Sequence, residues 1–115
     1  MNKKQRLRKN SDFRRVYNRG KSLASFSLVL YYYPNKENID YNRFGFSISK
    51  KIGKAVVRNK LKRRLREIMR LKTDLKKGYD LVIIVRRPAV NLDYAELRGE
   101  VDKLLKRAGL LEKEG

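Results

Sequence analysis

From Lys50 to Arg70 the chain reads KKIGKAVVRNKLKRRLREIMR, a stretch in which ten residues are Lys or Arg and Glu67 is the only acid. Such a segment is ordered as a helix only if one narrow stripe of it is buried and the rest is left to water or to a polyanion. At helical period Val57, Leu61, Leu65 and Ile68, continued by the aliphatic stem of Lys72 and by Leu75, fall on one stripe, while Asn59, Lys62, Arg63, Arg66 and Arg70 fall opposite. The spacing therefore predicts a basic helix that runs from Lys54 to shortly before Gly78, mounted on a core by one face. Helices ordinarily carry acids in their first turn, where the amide dipoles leave partial positive charge. This one starts with Lys54 and Arg58 after Gly53, an arrangement that brings free amide donors and cationic side chains together where a phosphate would sit.

A charged helix face is most often simply solvated, and then both signs are interspersed. Here the face has nearly one sign, which favours nucleic acid. The whole chain agrees: 31 Lys plus Arg stand against 12 Asp plus Glu, a formal charge of +19 on 115 residues. A field of that size steers a protein towards polyanions, nucleic acid or acidic membrane. The longest strongly apolar run, Leu81 to Val85, is far short of the roughly 20 residues that a bilayer requires. The basic N-terminus lacks the apolar stretch of a secretory signal, so the expected location is the cytoplasm. With no Cys and no His, thiolate zinc sites, Cys or His nucleophiles and His general bases are excluded, and the scattered acids show no pair spaced for two-metal chemistry.

Residues 1–115 read as a single RNA-binding domain of modest core. Met1 to Lys9 is basic and aperiodic, expected to be a flexible arm. Asn10 or Ser11 caps a short helix with Asp12 in its first turn and Gly20 at its end, and Phe13, Val16 and Tyr17 share one face of it. Val16 is expected in the core; Phe13 and Tyr17, interleaved with Arg14 and Arg15, have the pattern that stacks single-stranded nucleic acid. Ser22 to Tyr33 alternates as one long strand or two joined at a bend, with Phe26, Leu28, Leu30 and Tyr32 on one face and Ser25, Ser27, Val29, Tyr31 and Tyr33 on the other. After a polar connection, Arg43 to Ser49 alternates again, Phe44, Phe46 and Ile48 inward and Gly45, Ser47 and Ser49 outward. Tyr79 to Val85 is the nearly continuous apolar run of a strand covered on both faces. Asp93 and Glu96 have capping-box spacing ahead of an amphipathic helix that closes at Gly109, and residues 110–115 are expected to fray. The fold class is α+β: a small mixed β-sheet packed by three helices in α-β-(β)-β-α-β-α order.

The segment Lys50, Lys51, Gly53, Ala55, Val56, Arg58, Asn59, Lys62 and Arg63 resembles, in register, the signature of the protein subunit of bacterial ribonuclease P, Lys-Lys-x-Gly-x-Ala-Val-x-Arg-Asn-Arg-x-Lys-Arg. The chain departs from it at Lys60, which keeps the charge of the third core residue and loses the planar fork of arginine. Leu7 to Ser22 is similar to the family's opening segment, and the likeness extends to about Ala108. It implies a ribosomal-protein-like fold with a left-handed βαβ crossover, where the physical rule is right-handed. It also implies an endonuclease that removes the 5′ leader of precursor tRNA, with the catalytic groups and Mg²⁺ in a large RNA and none in the protein. On that reading Lys50, Lys51, Lys54, Arg58, Asn59, Lys60, Lys62, Arg63 and Arg66 bind phosphates of the catalytic RNA, and Phe13, Tyr17 and Tyr31 line a cleft for the leader. Three other readings stand beside it: a ribosomal or RNA-chaperone protein with the same helix and no reaction, a DNA-binding module, and a protein-only nuclease. The DNA-binding reading lacks a helix-turn-helix or zinc-finger pattern, and the nuclease reading lacks carboxylate clusters.

Overall fold

The computed structural model describes residues 2–112. Helix α1 (Asn10–Arg19) is followed by strands β1 (Lys21–Ala24), β2 (Leu28–Pro34) and β3 (Arg43–Ser47), helix α2 (Ala55–Arg70), strand β4 (Tyr79–Val85) and helix α3 (Tyr94–Arg107). The four strands form one sheet in the order β1-β2-β4-β3. β1 and β2 pair antiparallel, β2 and β4 antiparallel, and β3 and β4 parallel. The expected α+β architecture and element order are therefore the observed ones.

The last strand in sequence is central in space, which explains its unbroken apolar run. Leu81, Ile83 and Val85 point to one face of the sheet, into a core with Leu28, Leu30, Phe44, the α2 residues Leu61, Leu65, Ile68 and Met69, and the α3 residues Leu97, Val101, Leu104 and Leu105. Val82 and Ile84 point to the other face, where Leu7 and Val16 are buried and Phe13, Tyr17, Tyr31 and Tyr33 pack in part. One face of the sheet is thus closed by two helices and the other is only partly roofed by α1.

A buried ionic network ties α1, β3 and β4 together. Asp80 on β4 is fully buried; it accepts from Arg43 Nε at 2.9 Å, from Nη2 of the same guanidinium at 2.7 Å and from Asn35 Nδ2 at 3.0 Å. Arg43 also lies 3.6 Å from Asp12 on α1. Its hydrogen bonds to Asp80 push the guanidinium's pKa above its ordinary value against the opposing effect of burial, so the cation is held firmly. Asn42 closes the adjoining loops, accepting from the Tyr79 amide at 2.8 Å and donating to the Lys76 carbonyl at 2.8 Å.

Several expectations need correction. Ser22 to Tyr33 is a hairpin: Ser25 Oγ accepts from the amides of Ser27 and Leu28 at 3.3 and 3.1 Å, a local bond that competes with the ladder and turns the chain. Phe26 consequently leaves the buried face and stands at the hairpin tip, 59 % exposed. The basic helix stops at Arg70 with Leu71 as its cap, and Leu75 reaches the core through a bridge to Leu111. The arm expected over residues 1–9 is docked: Lys3–Gln5 forms a 3-10 turn, and Arg6 bridges Phe44 in parallel. The Leu7 amide donates to the Phe44 carbonyl at 2.9 Å, and Leu7 is buried. This covers the outer side of β3, otherwise an open sheet edge. Of the expected frayed tail, Leu110 is buried and the Glu112 amide donates to the Asp74 carbonyl, while 113–115 lie outside the described residues. The Asp93–Glu96 capping box forms in both directions, and Gly109 takes a φ of 72°, the left-handed conformation that ends α3.

Candidate nucleic-acid interface

Lys50 and Lys51 lie in a 3-10 turn (Lys50–Ile52) after β3, started by Ser49, whose Oγ accepts from the Lys51 amide at 3.1 Å. Both side chains are exposed, as is Lys54 at the N-cap of α2. Arg58 folds back, its Nε donating to the Gly53 carbonyl at 3.1 Å. That contact fixes the turn against the helix and sets the direction of the guanidinium.

Along α2 the cations divide into two flanks about the buried stripe. Lys62 and Arg66, one turn apart with Arg58 before them, face β3. They line a cleft of about 200 Å³ together with Arg6, Arg8, Phe13 and Gly45. Lys60, Arg63 and Arg64 lie on the other flank, where Arg64 reaches the Leu92 carbonyl at 3.5 Å. Asn59, Lys60, Lys62 and Arg63 are exposed or nearly so. The structure therefore gathers Lys62 and Arg66 in the cleft with Phe13, places Arg58 one turn before them on the same flank, against the Gly53 turn, and sets Lys60 and Arg63 apart. Among the described residues no carboxylate pairs with Lys50, Lys51, Lys54, Lys60, Lys62 or Arg63. Arg70, which helical spacing puts on the cationic face, is engaged by Glu67 at 2.7 Å.

Arg66 Nε is buried with no hydrogen-bond partner. An unmet charged donor inside a cationic cleft fits an anionic oxygen. Arg6 and Arg8 enter the same cleft, and no sequence motif marks them. Only the basic composition of the first nine residues hints at them, because their position depends on the bridge from Arg6 to Phe44.

The three aromatic residues expected to line the cleft do come together, on the partly open face of the sheet. The Tyr17 and Tyr31 rings meet edge to face at 5.0 Å, and Phe13 lies 6.4 Å from Tyr17. Each is partly exposed. Gly45 explains how Phe13 sits so low: a Cβ there would stand 2.6 Å from the ring. Burial pushes the Tyr17 phenol above its ordinary 10.0, with the Ser47 side chain pulling the other way, so the ring is neutral at physiological pH. A neutral ring takes a base without repelling its phosphate.

The +19 charge and the convergence of Arg6, Arg8, Lys62 and Arg66 lead to a first prediction. Sulfate or phosphate should raise the melting temperature more than chloride at matched ionic strength, because an anion that binds only the folded cluster stabilises it by mass action. Equal effects of the two salts would mean screening alone and would remove the cluster as an anion site.

The chain is similar to known proteins over nearly its whole length. A family model described as Ribonuclease P matches residues 1–109. The ribonuclease P protein component of Clostridium novyi is 49 % identical over 111 residues, covering 96 % of this chain and 98 % of that protein. The structure of the Staphylococcus aureus RNase P protein superposes with a TM-score of 0.87 at 38 % identity, covering 94 % of this chain and 98 % of that one. That of the Thermotoga maritima RNase P protein gives 0.80 at 38 % identity, with 96 % and 98 % covered.

Proposed function

The chain belongs to the bacterial ribonuclease P protein family, and from that premise we propose that it joins the catalytic RNA to the 5′ leader of precursor tRNA through two adjoining surfaces. Membership itself implies the protein component of a ribonucleoprotein endoribonuclease that processes tRNA 5′ ends, with an RNA subunit as partner. The finer assignment rests on one observation: the unpaired cations of α2 and the aromatic cleft meet in a single groove, at Lys62, Arg66 and Phe13.

In this reading Lys50, Lys51, Lys54, Arg58, Asn59, Lys60, Lys62, Arg63 and Arg66 engage phosphates of the catalytic RNA, from both flanks of α2. Phe13, Tyr17 and Tyr31 stack on leader bases, over a sheet floor kept low by Gly45 and Ser47. Arg58, Lys62 and Arg66 then stand where leader and catalytic RNA approach, neutralising phosphates that would otherwise repel each other. The chain's work is binding, positioning and charge neutralisation. We assign the Mg²⁺ and the bond-breaking groups to the partner RNA, as the likeness to the family implies.

The test is reconstitution. The chain, a transcribed bacterial catalytic RNA and a precursor tRNA, with Mg²⁺, should yield a single cut at the mature 5′ end, more efficiently than the RNA without protein at moderate salt. Robust site-specific cleavage by RNA-free protein, surviving nuclease controls, would sink the assignment of catalysis to the RNA. The phosphate contacts have their own test in salt. Replacing Arg58, Lys62 or Arg66 by Ala should weaken assembly and lower the log-log salt slope by roughly 0.9 per lost duplex phosphate, less on single strands. An unchanged slope removes that residue from the interface.

A further inference from the structure

The tip of the β1–β2 hairpin carries an aromatic ring that neither the core nor the leader cleft uses. Phe26 is 59 % exposed between Ser25 and Ser27. An exposed ring on a loose loop would mean little, but this turn is fastened from several sides. Buried Ser27 donates its hydroxyl to Glu100 of α3 at 2.5 Å. Arg107, at the end of α3, donates to the Ala24 carbonyl at 3.1 Å. Arg86, just past β4, donates its guanidinium to the Ser25 carbonyl at 2.9 Å and its amide to the Ser27 carbonyl at 2.9 Å. These bonds fix the backbone on both sides of Phe26 while leaving the ring in water. Among the described residues the one cation placed over an aromatic ring is Lys4 on Tyr41, so no cation covers Phe26.

The sheet register shows what the tip adjoins. Leu28 pairs with Val85 and Ser47 with Ile84, so the hairpin tip, Arg86–Arg87 and the Ser49–Lys51 turn follow one another along the same end of the sheet. With neighbouring strands about 4.8 Å apart, two strand spacings separate β2 from β3. Phe26 thus extends the unpaired cations of Lys50 and Lys51 around the molecule, away from the cleft, towards α3.

We infer that Phe26 is a stacking platform for an unpaired nucleotide of the catalytic RNA, flanked by the guanidiniums of Arg86 and Arg107. The surroundings are cationic, which suits a base attached to phosphates rather than an apolar protein partner. Glu100, the acid bonded to the base of the tip, is buried against Ser27. The tip is anchored on α3, across the sheet from Phe13, Tyr17 and Tyr31, so the leader that fills the cleft is not the strand it meets. This proposal rests on the functional reading above.

The chain contains no Trp, so Phe26→Trp supplies a single reporter. Titrated with the catalytic RNA and no tRNA, its emission should be quenched in step with assembly followed by gel shift. Phe26→Ala and Phe26→Leu should weaken assembly about five-fold to a hundred-fold, the range for loss of one stacked base, with the salt slope unchanged because no cation is lost. Their melting temperatures should match the parent, since the ring is exposed, and precursor affinity of the assembled enzyme should hold. Assembly of the Phe26→Trp protein with its emission unchanged, or parental assembly by Phe26→Ala, overturns the proposal. So does quenching that arises only on adding precursor tRNA, which would put substrate at the tip. Failure of the unsubstituted chain to assemble at all would overturn the functional reading and this proposal with it.

Discussion

Arg43→Ala should cost about 3–5 kcal/mol of stability, the range for removing one partner of a buried ion pair, and lower the melting temperature by something on the order of 15 °C. The reason is Asp80. Its carboxylate is wholly buried, receives two bonds from the Arg43 fork, and after the substitution would keep only the Asn35 amide. Native stabilities are themselves only about 5–15 kcal/mol, so a large part of the margin would go. Arg43→Lys should lose less, because the charge remains while the bidentate geometry is broken. Adding Asp80→Asn to Arg43→Ala should recover part of the loss, since the stranded charge is then gone. Thermal and denaturant melts of the four proteins measure this. A melting point within a degree or two of the parent's for Arg43→Ala would mean that the pair contributes nothing beyond what water supplies.

Phe13→Ala and Tyr17→Ala should each weaken precursor-tRNA binding by the assembled enzyme, by up to about 1–3 kcal/mol per stacked ring. Mature tRNA has no leader, so its affinity should be nearly unchanged, as should assembly with the catalytic RNA. Both rings also touch the smaller core cluster, so a purely packing role predicts a different pattern: a lower melting temperature, with both tRNAs weakened in parallel. Gly45→Ala separates the two further. It leaves both rings in the chain but drives a methyl into the space of the Phe13 ring, and it should reproduce the Phe13→Ala defect on precursor alone. Parallel weakening of both ligands would return the rings to the core and end the cleft assignment.

The features legible in the sequence are those that repeat at short range. The stripe Leu61, Leu65 and Ile68, the unbroken run of β4 and the Asp93–Glu96 box are each set by neighbours within a turn or two, and they lie where periodicity puts them. The hairpin is harder to read, because a single hydroxyl, Ser25 Oγ, decides whether the alternation through Phe26 continues or turns. The docking of residues 6 and 7 is out of reach of any local pattern, since it depends on a carbonyl of Phe44 that is free only because β3 is an edge. The same holds for the Asp12, Arg43, Asp80 set, whose members come from three elements and show no common spacing. Within the candidate interface, residue type and position on the signature are legible. The division of α2 into a flank beside Phe13 and a flank beside α3 is not, because it depends on where the sheet lies.

The central position of β4 has a temporal meaning as well. β2 and β3 do not touch; each meets the other only through β4, which is made last of the strands. A ribosome adding about 5–20 residues per second needs on the order of seconds to pass from Ser47 to Val85. Throughout that interval β2 and β3 have been made but their common neighbour has not, and the segment being added after β3 is the most cationic of all. A net charge this far from zero opposes self-association of copies of the chain. The order of synthesis thus leaves the sheet open until its central strand arrives, and the chain is most strongly charged in the stretch made while it waits.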